Sequence, residues 1–129
     1  MIMGETSLWG DLTRLQQIRT PKTILVEQAN ILNQATKGVV RAEVASSGAG
    51  PAPNLSHALN LVAPALGNYT YTVATVIHDI NIYPCKLLNP IVNRVEDCAD
   101  EADLKRKLAA VLSDPKTLRV IESLLSQSR

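Results

Sequence analysis

Fifty consecutive residues, from Val44 to Asn93, carry only two charges, Asp79 and Lys86. The chain holds 13 basic and 12 acidic residues, so all but two of its charges lie in the flanks. The uncharged middle is rich in Val, Ile, Thr and Tyr, the residues that suit a pleated, half-buried surface. A sheet face covered by helices needs no charge, whereas a face in water ordinarily carries Lys, Glu and Arg. Three arrangements satisfy such a sequence. The second face is neutral but solvated through Asn60, Thr70, Thr72 and Asn81, or it packs on a second copy or another protein, or helices cover both faces.

The flanks read as helix. Leu8, Trp9, Leu12 and Leu15 fall at helical spacing behind a potential Ser7 cap, which predicts a helix over 7–17. Thr20 as N-cap and Pro21 at the first position open a second helix over 21–37. Its stripe is Ile24, Leu25, Gln28, Ile31, Leu32 and Ala35, and Gly38 stops it. Near the C-terminus, Asp100 and Asp103 resemble a capping box. Leu104, Leu108, Val111 and Leu112 make the inner stripe of a helix ending near Ser113. Asp114-Pro115 then restarts the chain as a further helix with Leu118, Ile121, Leu124 and Leu125 on its apolar side.

Between the helical ends, residues 39–44 alternate as a half-buried strand, with Arg41 and Glu43 on one face. Residues 46–54 are a loop by composition. A second strand runs over 55–62, and Gly67-Asn68 marks a turn. Tyr69 to Tyr83 is the strongest β segment. Its apolar phase slips between Ile77 and Ile80, which predicts a bulge at His78-Asp79. Residues 85–95 offer a short edge strand at Ile91, Val92 and Val95. Strands segregated from helices, with hairpin-like connections, predict a single α+β domain over 1–129. It has N-terminal helices, a central antiparallel sheet of three to four strands, and a C-terminal helix pair packed on that sheet.

A chain of 129 residues suits one domain with a real core. A net charge of +1 argues against nucleic acid as a partner. Lys105, Arg106 and Lys107 follow Asp100, Glu101 and Asp103, which reads as a solvated, ion-paired helix face. No run approaches the ~20 apolar residues of a membrane span. Met1 to Gly10 carries Glu5 and no Lys or Arg, a pattern unlike a signal peptide. The organisation has the look of a small bacterial, cytoplasmic protein.

Candidates for chemistry are few. Asp79 beside His78 has the composition of an oriented imidazole, although neighbours on a regular strand point to opposite faces. His57 follows the 46–54 loop. His57, His78 and Asp79 are therefore the ligand candidates, at a site where that loop would meet the His78-Asp79 bend. Together with Cys85 and Cys98 the histidines lack the short paired spacing of zinc sites, so neither a metal nor a cofactor is expected. The 46–54 segment lacks the Gly-Lys-Ser/Thr ending of a phosphate loop. Cys85 reads as a buried thiol, and Cys98, just ahead of a helix, as one whose pKa is slightly lowered. Neither is expected to be catalytic.

Tyr69, Tyr71 and Val73 share one strand phase and are the interface candidates, since interface centres are poor in charge and rich in Tyr. A neutral edge strand adds a template for pairing. The sequence thus points to a non-enzymatic interaction or assembly domain, associating with itself or another protein through the uncharged sheet of residues 44–93. The alternative is a small-molecule binder or enzyme at the 46–54 loop and His78-Asp79.

Overall fold

The computed structural model describes residues 6–49 and 54–129. Helix α1 (Pro21–Ala35) leads into a five-stranded antiparallel meander, β1 (Arg41–Ala49), β2 (Asn54–Ala63), β3 (Tyr69–His78), β4 (Cys85–Asn89) and β5 (Arg94–Cys98). Helices α2 (Glu101–Leu112) and α3 (Pro115–Gln127) close the chain. The α+β class is as the sequence implies, with one or two more strands than its patterning suggested. The extra strands come from residues 85–98, which form a hairpin instead of one edge strand.

Helix starts follow the sequence closely. Thr20 Oγ1 accepts from the Thr23 N–H, and Pro21 occupies the first turn, where a missing N–H costs nothing. Asp100 accepts from the Asp103 N–H at 2.8 Å, while Asp103 reaches back to the Ala99 N–H at 3.0 Å. This is capping-box reciprocity displaced by one residue. Asp114 caps α3 through the Lys116 N–H. The buried Thr117 hydroxyl donates to the Val111 carbonyl at 2.7 Å and locks the bend between α2 and α3.

The helices occupy one face of the sheet. Residues of α1, α2 and α3 line a common cavity with Ala42, Leu59, Leu61 and Val73, so all three helices sit on the face that those strand residues present. Leu25, Leu87, Leu104 and Val76 are sealed from solvent at the centre of this layer.

Three expectations differ from the structure. Residues 7–17 form no α-helix; only Leu12–Arg14 makes a single 3-10 turn. An isolated helix that short is marginal in water without an apolar surface to pack on. The 46–54 loop is shorter than its composition implies, because Ser46–Ala49 pair with Asn54–His57 and extend the β1–β2 hairpin. The slip in β3 falls at Val73-Ala74, where the register against Leu59 and Asn60 shifts, and not at His78-Asp79. The chain instead leaves the sheet after His78. Asp79 Oδ1 accepts from the Asn81 N–H at 2.8 Å, an Asx turn that carries Ile80 and Ile82 out of the strand.

Candidate functional site

The three ligand candidates converge. Ser46 and His57 stand opposite each other on β1 and β2, and His78 ends β3 on the same helix-covered face. The serine Oγ lies 2.7 Å from His57 Nδ1, His57 Nε2 lies 3.0 Å from His78 Nε2, and His78 Nδ1 lies 2.7 Å from the Asp79 carbonyl. The two imidazoles are stacked at 5.1 Å between centroids and both are buried.

A carbonyl only accepts, so the tautomers follow from one end of the chain. His78 Nδ1–H donates to the Asp79 carbonyl. His57 Nε2–H then donates to His78 Nε2, and His57 Nδ1 accepts from the Ser46 hydroxyl. Each imidazole nitrogen of the buried pair thereby has a partner. Burial holds the His57 imidazole below its ordinary pKa of 6.5, with His78 and then Lys22 adding to the effect. Asp79 contributes its backbone carbonyl to His78, while its carboxylate serves the turn. Of this chain, sequence reasoning missed Ser46, whose signal was its place opposite His57 once the hairpin is extended.

The Ser46–His57 contact has the composition of a nucleophile and base. Among the described residues, however, the five best-formed cavities are lined by side chains other than Ser46, His57 and His78. No group of three or more metal-binding side chains occurs there either. Cys85 and Cys98 face each other across β4 and β5 as free, buried thiols. Burial pushes Cys85 up to about 12 and also raises Cys98, against the slight lowering expected from the helix that follows it. The thiolate is the reactive form, so burial lowers the reactivity of both.

The interface candidates do not share the open face. Tyr69, Tyr71 and Val73 lie on the face that the helices cover: Tyr69 and Tyr71 border α3 at Val120 and Leu124, and Val73 is 2% exposed. Their strand phase was read correctly, but that phase points inward.

The outward phase carries a different row. Ala45, Ala58, Thr75, Leu88 and Val95 are register neighbours across all five strands. Flanking rows add Ser47, Ser56 and Ile77 on one side and Asn60 and Thr72 on the other, where the Thr72 hydroxyl donates to Asn60 Oδ1 at 2.7 Å. Charges enter this face only at diagonal corners, as the pairs Arg41–Glu43 at 3.0 Å and Lys86–Asp97 at 3.8 Å.

The free edge of β1 is partly closed. Asn33 of α1 accepts from the Ala42 N–H at 2.7 Å and donates to the Ala42 carbonyl at 3.2 Å. One side-chain amide thus takes the place of a pairing strand at the point where an added chain would dock, a protection that natural edges require. The exposed basic run on α2 is ion-paired as its spacing implied, Lys105 to Glu101 at 2.8 Å and both Arg106 and Lys107 to Asp103. No helix among the described residues is long and apolar enough to cross a membrane. No family model, no curated protein and no solved structure matches this chain.

Proposed function

We propose that the protein is a non-enzymatic, cytoplasmic assembly domain that associates with a second copy of itself through the outer face of its sheet. The observation that carries this reading is the neutral row Ala45–Ala58–Thr75–Leu88–Val95 on a face without helices. Strands ~4.8 Å apart and three side-chain rows ~6.8 Å apart give this face an area of about 500 Å². Two such faces bury about 1,000 Å² together, the threshold for a specific interface. Both charged corners are already paired within the chain, so two copies meet without net repulsion.

Thr75 sits in the central strand at the middle of the row. Thr75→Lys places an unpaired charge there, and desolvating it opposes docking. Sedimentation and native mass spectrometry are expected to show a multiple of the 14.0 kDa chain mass for the parent protein and a smaller assembly for the variant. A parent protein that stays monomeric at high concentration ends this reading.

The Ser46–His57–His78 chain favours a second reading, a small-molecule site reached from the end of the sheet. It predicts a non-covalent adduct on the parent protein in a native mass spectrum, lost in a folded His78→Ala variant. An adduct that survives that substitution, or none on protein taken from its own host, removes it.

A further inference from the structure

The segment before α1 and the layer of helices each lack a partner. Leu8, Trp9 and Leu15 are 97%, 84% and 75% exposed, and Leu12 and Ile18 are half exposed or more. Five large apolar side chains in eleven residues exceed the scattered exposure that a soluble surface tolerates. Across the molecule, α1 stands apart from α2 and α3 and leaves a trough. One part, about 480 Å³, lies between α1 and α2. The next, about 200 Å³, lies between α1 and α3 over the sheet. Gln28, Leu112 and Leu118 line both parts, so the trough is continuous. Ile31 and Leu32 form one wall, Ile121 the other, and Leu61 and Val73 the floor.

We propose that residues Leu8–Ile18 are a docking arm that folds as an amphipathic helix into the trough of a second copy of the chain. The proposal rests on self-association, but on a surface separate from the outer sheet face.

Four observations converge on this occupant. First, the arm has the right pattern. Leu8, Leu12 and Leu15 recur at i, i+4 and i+7, the anchors of a helix laid in an apolar groove. Ser7 Oγ already accepts from the Trp9 N–H at 3.2 Å, the start of an N-cap. Second, the lengths agree. Leu8–Ile18 as a helix spans about 15 Å, and the α1 wall from Ile24 to Ala35 spans about 17 Å. Third, the area suffices. Four aliphatic side chains at roughly 100 Å² and one Trp at roughly 200 Å² give about 600 Å² per arm. Exchanged between two copies, the two arms alone contribute about 1,200 Å², the lower end of the range for specific interfaces. Fourth, a single 3-10 turn in place of the expected helix is what an eleven-residue segment shows without its groove.

The arm is barred from its own trough by how it leaves the body. The Tyr83 hydroxyl donates to the Arg19 carbonyl at 2.8 Å, and the Arg19 guanidinium pairs with both Glu27 and Glu101. Thr20 is already the N-cap of α1. Reversing a helix onto α1 needs a free connection of about 2–5 residues, and both residues available here are pinned. In the single chain the arm's apolar side chains accordingly stay exposed, outside the trough that Arg19 helps to line.

Trp9 is the chain's single tryptophan, so its fluorescence reports the arm alone. With rising protein concentration, emission is expected to shift to shorter wavelength and acrylamide quenching to fall several-fold. Ile31→Glu and Leu118→Glu, at partly exposed wall positions that tolerate charge, are expected to abolish the shift with the circular dichroism unchanged. Thr75→Lys, at the outer face, is expected to leave it in place, so failure of the face reading and failure of the arm reading are separable. Long-wavelength emission at every concentration overturns the proposal. Short-wavelength emission that is independent of dilution places the arm in its own trough, and a shift that persists in both wall variants places it elsewhere; each overturns it.

Discussion

Leu104→Ala is expected to cost about 3 kcal/mol of folding stability and to lower the thermal midpoint by roughly 10 °C. Leu104 lies in the first turns of α2, fully buried, between the cap at Asp100 and the sheet. Three carbons, one methine and two methyls, vanish from a fully buried site on a helix that packs on the β-paired sheet. The wall relaxes little, so a cavity term adds to the lost transfer free energy. Ile80→Ala removes a similar volume from a side chain 77% exposed in the β3–β4 turn. It is expected to change stability by less than about 0.5 kcal/mol. Chemical denaturation of both variants checks the contrast. A Leu104→Ala loss below about 1 kcal/mol would mean that α2 is not a core element.

The helices were legible because each start carries its own local chemistry: Thr20-Pro21, Asp100 with Asp103, and Asp114-Pro115 satisfy their donors within four residues. The strands were legible as strands, but their faces were not. Alternation gives a phase without a sign, so Tyr69, Tyr71 and Val73 were correctly grouped yet turn inward. What decides the sign is where the helices lie, a long-range property. The bulge moved for a related reason. The change in apolar phase at His78-Asp79 is the end of the strand, marked by the Asp79 turn, while the real register shift at Val73-Ala74 leaves two small apolar neighbours that look regular in sequence.

The histidine chain shows the limit from the other side. His57 and His78 are 21 positions apart, and nothing local joins them. Their meeting needs the β2–β3 register, which sets His57 against Val76 and Leu55 against His78. Residue type singled them out and topology brought them together. The same logic separates Cys85 and Cys98 from that pair: they oppose each other on β4 and β5, yet no third metal-binding group joins either pair among the described residues.

That chain makes stability depend on pH in a defined direction. His57 has a folded pKa below its ordinary 6.5, chiefly because burial disfavours the imidazolium, and then because His78 and Lys22 stand close by. In the unfolded chain the same imidazole takes up a proton as the pH falls through 6.5. The unfolded state thus binds more protons in the window between the two values, and stability rises with pH there. The contribution is complete above 6.5 and is lost as acidity passes through the lower, folded value. Protonation also alters the hydrogen bonding. An imidazolium at His57 donates from both nitrogens, which turns Ser46 from donor to acceptor and leaves His78 Nε2 as the one imidazole nitrogen that still accepts. A second proton would set two Nε2–H groups against each other at 3.0 Å. Denaturation midpoints measured from pH 7.5 down to about 4.5 are therefore expected to fall most steeply below 6.5. The His57→Phe, His78→Phe double variant is expected to lose that part of the slope. Either single variant is expected to be less stable than the double variant at pH 7.5, by about 1–3 kcal/mol, since one substitution orphans the remaining buried nitrogen, whereas two free only groups of the exposed residues Ser46 and Asp79, which water satisfies. A double variant that keeps the parent's full acid slope would place the pH dependence in the carboxylates, and the histidine pair would then be a packing element only.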